Sequence, residues 1–130
     1  MEYNHYSFLP EKSVEDSVKE KNWYSALCSE NYEEFIGEIH RNYPTQNALL
    51  QELPNILVSA NKIVCNKNFR NNPLKESVPV FLQHRINLLL LCCFSDEGLI
   101  KAKEIFLDLY KSQDFNKNDW KQVYDFLFYK

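Results

Sequence analysis

Apolar residues in this chain return every three or four positions, segment after segment, and no segment alternates convincingly at every second position. From Thr45 onward, Leu49, Leu53, Ile56, Leu57, Ala60, Ile63 and Val64 form the cleanest stripe and predict a long amphipathic helix. Pro54 lies within it, so the helix either kinks there or divides before the proline. Upstream, Tyr32, Phe35, Ile36, Ile39 and Tyr43 mark one helical face. Asn31 is its N-cap, Glu33 and Glu34 occupy its first turn, and Pro44 ends it. Gly37 interrupts that helix and is expected to admit the close approach of a neighbour. Ser13, with Asp16 three residues on, opens a short exposed helix carrying Val14 and Val18. A second short helix covers about residues 22–29, with Trp23, Ala26 and Leu27.

Downstream, residues 78–94 predict a helix with Pro79 in its first turn. Its end, Ile86 to Phe94, is apolar almost all round, which marks a helix surrounded by others. Ser95 caps the next helix, whose buried face is Leu99, Ala102, Ile105, Phe106, Leu109 and Tyr110. Asn116 or Asn118 caps the last, with Trp120, Val123, Tyr124, Leu127 and Phe128. Residues 1–11 read as an extended lead-in, and the asparagine-rich stretch 66–73 as a loop and mid-chain hinge. The expected architecture is one all-α domain over residues 1–130, a compact bundle or short helical solenoid of about six or seven helices. A tetratricopeptide array is not indicated, because its leucine and glycine positions counted from Trp23 hold Ala26 and Leu27.

Composition changes the picture at one point. The 130 residues include two glycines, Gly37 and Gly98, both inside helical patterns. Phosphate loops, dinucleotide turns and nucleophile elbows all use glycine for positive φ or close backbone approach, so none of them can be built here. No apolar run approaches the roughly 18 residues of a membrane span. The first residues show neither a basic nor an apolar signal region, so a cytoplasmic protein is expected. Cys28, Cys65, Cys92 and Cys93 each lie in or beside apolar helical segments without CxxC spacing, and buried free thiols are expected.

Candidate chemistry is sparse. His5, His40 and His84 have no partner at helical spacing, and neither a metal nor a cofactor is indicated. Cys28 and His40 fall on adjacent helices, but no nucleophile signature surrounds the thiol. Glu34 and Glu38 are one turn apart, as on many solvated faces. Lys62, Lys67, Arg70 and Lys75 surround Phe69, yet the chain is acidic as a whole and no nucleic-acid partner is expected.

Charge is the more informative feature. Residues 1–60 hold ten acids and four bases, whereas the remainder holds eight acids and eleven bases. Within the acidic half, Glu30, Glu33, Glu34 and Glu38 are interleaved with Trp23, Tyr24, Tyr32 and Tyr43. Such a surface suits a basic protein partner, with carboxylates steering the encounter and rings anchoring it; the alternative is that Trp23 and Tyr32 face the core and the glutamates only solubilise. The small, acidic, glycine-poor, all-helical profile is similar in type to that of many bacterial immunity and antitoxin proteins, without a shared motif. That resemblance implies a non-enzymatic module that blocks a basic toxin or nuclease by occlusion. A helical adaptor for a peptide or partner helix is the second expectation. An enzyme with a nonlocal site built on His40, His84 or Cys28 is the third.

Overall fold

The computed structural model describes residues 13–29, 31–65 and 77–128; the lead-in and the asparagine-rich loop lie outside the described residues. Among these the chain forms seven helices and no strand. They are α1 (Val14–Lys19), α2 (Trp23–Leu27), α3 (Tyr32–Asn42), α4 (Gln46–Cys65), α5 (Ser77–Cys93), α6 (Asp96–Tyr110) and α7 (Lys117–Phe128).

Caps fix most of the starts. Ser13 Oγ accepts from Asp16 N, Asn31 Oδ1 from Glu34 N, Thr45 Oγ1 from Ala48 N and Ser95 Oγ from Gly98 N. Asn116, rather than Asn118, caps α7, accepting from the backbone of Asn118 and Asp119. These are the orphan donors that every helix start leaves behind. The end of α1 is a Schellman turn: Asn22 N donates to Ser17 O and Lys21 N to Val18 O. Its left-handed position, usually held by glycine, belongs to Lys21 at φ 60°.

Pro54 neither splits nor ends α4, which runs unbroken through it. All seven residues of the expected stripe are buried, joined on that side by Leu50 and the polar Glu52 and Asn61. The helix α1 is less exposed than its charges suggest: Val14, Ser17 and Val18 face inward, and Ser17 Oγ donates to Ser25 Oγ of α2. At Gly37 a Cβ would meet only the Arg41 side chain. The close approach is made at Gly98 instead, where a Cβ would collide with Oε1 of Gln46.

Among the described helices packing follows a simple rule: each lies on the next but one. α1, α3, α5 and α7 form one row, and α2, α4 and α6 the other; contacts such as α1 with α2 and α6 with α7 join the rows. One contiguous apolar core runs between them. Amide side chains fasten the central α4 at both ends. Gln46 donates to Cys93 O and accepts from Ser95, while Asn61 donates to Asp114 O and accepts from the Trp120 indole. Rings of Phe106, Tyr110, Tyr124 and Phe128 stack in sequence, with centroids 5.5, 4.9 and 5.0 Å apart, and clamp α6 to α7. α5 is not surrounded on all sides as expected: His84, Leu91 and Cys92 are exposed and Asn87 and Leu88 half-buried, so one side of it meets solvent.

Candidate functional site

The acidic–aromatic segment divides into an inner and an outer set. Trp23 belongs to the inner set: it is 3% exposed, and its Nε1 donates to Glu52 Oε2 at 2.8 Å. An indole N–H carried into an apolar core needs an acceptor, and the carboxylate on α4 supplies it. Tyr43 packs on the same indole with centroids 6.2 Å apart. Its own burial, together with the Glu52 charge, pushes its hydroxyl above the usual tyrosine range. Glu38 is also inside, paired with Arg41 and bonded by Asn42 Nδ2. Trp23 and Glu38, expected on the contact surface, therefore support it from below. Glu30 lies outside the described residues.

The outer set is smaller. Glu33 and Glu34 are exposed in the first turn of α3, where the helix dipole stabilises them, and neither forms an ion pair among the described residues. Tyr32 is half-buried beside them. Tyr24 is 38% exposed and lines a shallow cleft of about 160 Å³ with Ser59, Lys62 and Ile63 of α4. Thus α2 is anchored at Trp23 and presents the next residue to solvent.

Two charged residues missed by the sequence reading organise this region. Glu52 binds Trp23, receives Asn55 Nδ2 at 3.4 Å, and has the Lys21 ammonium 3.6 Å away. Arg85 on α5 is 5% exposed, with its guanidinium carbon 4.7 Å from the Phe81 ring centre and 5.9 Å from that of Tyr32. Its Nη1 is buried and has no hydrogen-bond partner among the described residues. A signal for both was present. Glu52 falls between Leu49 and Ile56 on the apolar stripe, and Arg85 between Leu82 and Leu89 on theirs, so each charge occupies a core position.

Burial without an acceptor is costly for a cation: several kcal/mol is typical for a desolvated ion, against about 0.5–2 kcal/mol returned by each cation–π contact. Burial accordingly draws the Arg85 guanidinium below the usual arginine range, partly offset by Cys28 and Tyr32. Cys28 provides no counter-charge, because burial pushes its thiol up to about 12. That protonated thiol is also poorly placed as a nucleophile, and its expected partner His40 is exposed, as is His84. Among the described residues no group of three His, Cys, Asp or Glu side chains is placed to hold a metal ion. Cys28 and Cys93 are buried, as expected, but Cys65 and Cys92 are exposed; the expectation of four buried thiols is corrected there.

No protein-family model, curated protein or solved structure matches this chain. The site must be read from its own chemistry. No described helix is long and apolar enough to cross a membrane. The basic loop around Phe69 lies outside the described residues, apart from the exposed Lys62.

Proposed function

We propose that this chain is a cytoplasmic, non-enzymatic protein-binding module that neutralises a basic partner, such as a toxin or nuclease domain, by covering its active surface. The observation that carries this reading is the separation of the acids. Glu38 and Glu52 are turned inward with cationic neighbours, whereas Glu33 and Glu34 stand exposed and unpaired among the described residues, on a helix that is itself packed on both sides. Charge held on a helix steers a basic partner, and Tyr32 supplies an amphipathic ring beside it, with Tyr24 exposed at the α4 cleft.

The test begins with affinity capture from the source cell and identification of the retained protein. Association with that protein is expected to slow steeply as salt rises, and the double variant E33K/E34K to slow it about tenfold or more at low salt. Binding that is indifferent to both changes would show that this turn is not the contact. The packing of each helix on the one two places along favours a second reading, an adaptor taking a peptide along one row of helices. A captured partner that binds through a short linear segment, insensitive to E33K/E34K, would decide for the adaptor.

A further inference from the structure

The described part of the fold leaves one buried cation without a counter-ion. We infer that Arg85 is the receptor for a carboxylate group, reached by displacement of the Tyr32 ring and contributed by an acidic side chain of the bound partner. This rests on the protein-binding reading only for the source of the carboxylate.

Three observations converge on it. Nη1 of Arg85 is buried and has no acceptor, and Arg85 forms no ion pair among the described residues. The guanidinium is framed by two aromatic rings, a lining that attracts the cation yet accepts none of its N–H donors well. The cover differs from the floor. Phe81 lies one turn earlier on the same helix, whereas Tyr32 is half-exposed at the first residue of α3 and belongs to the proposed contact surface.

The planar fork of arginine matches a carboxylate with two parallel hydrogen bonds. Phosphate shares that geometry, but Glu33 and Glu34 stand in the same helical turn as Tyr32 and disfavour a dianion. A carboxylate on an otherwise basic surface is complementary to both features: its surroundings meet the glutamates while the group itself meets Arg85.

Acetate tests the site without any partner. In NMR titrations of the intact protein at constant ionic strength, the Arg85 Nε–H signal is expected to shift saturably with acetate. It should respond more weakly to inorganic phosphate and not to chloride. R85M removes an unpaired buried charge and is expected to fold and melt no lower than wild type, while losing every saturable acetate shift. R85K, which keeps the charge but not the fork, should weaken acetate at least fivefold. An unsaturable shift, an equal response to chloride, or an acetate site that persists in R85M would overturn the proposal. So would an E30Q variant that binds acetate when wild type does not, because the chain would then be filling its own site. Competition between acetate and the captured partner, with faster partner dissociation in R85M, assigns the carboxylate to the partner. Acetate binding without competition assigns it to a free small molecule. Failure at Arg85 with salt-sensitive binding through Glu33 and Glu34 intact removes this inference alone.

Discussion

The Trp23–Glu52 bond is the point at which the outer surface is most open to measurement from within. Replacing Glu52 by alanine removes a charge-assisted hydrogen bond, worth about 1.5–3 kcal/mol, and strands the buried indole N–H, a penalty of about 1–3 kcal/mol. These overlap, since both describe the same broken contact. The Lys21 pair adds little, because its ammonium is 60% exposed. Relief of the buried carboxylate's own desolvation opposes the loss, leaving E52A destabilised by about 2–4 kcal/mol. For a chain of this size that is a fall of about 8–16 °C in melting temperature. E52Q keeps an acceptor for the indole and should fall by less than half as much. Thermal and urea melts of E52A, W23F and the double variant form a cycle, in which coupling of about 1–2 kcal/mol is expected. Trp23 emission should move to the red in E52A well before global unfolding, as α2 loosens. An E52A protein melting within about 2 °C of wild type, or strictly additive variants, would refute the view that this bond holds α2 in place.

The two glycines should respond with opposite signs. G37A meets only Arg41, at 3.6 and 3.9 Å, and should gain roughly 0.5–1 kcal/mol from helix propensity. G98A displaces Gln46 and its bonds to Cys93 and Ser95, and should lose about 1–2 kcal/mol net in urea melts. The thiols divide by burial: a disulfide reagent should label Cys65 and Cys92 at once, and Cys28 and Cys93 only at the rate of unfolding. Those two buried thiols also set an alkaline limit. Burial raises each from 9.0 to about 12, so the fold favours the neutral form; their contribution is complete below pH 9 and is lost as pH climbs toward 12. The slope is about 1.4 kcal/mol per pH unit for each thiol. Hence C28A, less stable than wild type at pH 8, should close most of that gap by pH 10.

Periodicity revealed the helices because amphipathic faces repeat, and local hydrogen bonds made Ser13, Asn31 and Ser95 readable as caps. What stayed hidden depends on contacts across the chain. Trp23 looked like an anchor because its acceptor lies 29 residues away on α4. Glu38 looked like surface charge because its neutralisation by Arg41 and Asn42 requires knowing which side of α3 faces inward. The positive φ at Lys21 carries no local mark, since glycine is the residue that usually announces it. Glu33 and Glu34 were legible as exposed for a simple reason: the first turn of a helix stabilises carboxylates that face solvent.

Pro54 offers no N–H to the carbonyl four residues before it, so α4 is a beam with a seam in the middle. The short helix α2 lies across that seam. Trp23 grips Glu52 on one side, and Tyr24 rests against Ser59 and Ile63 on the other. A helix of five residues therefore spans the point at which a twenty-residue helix lacks a hydrogen bond.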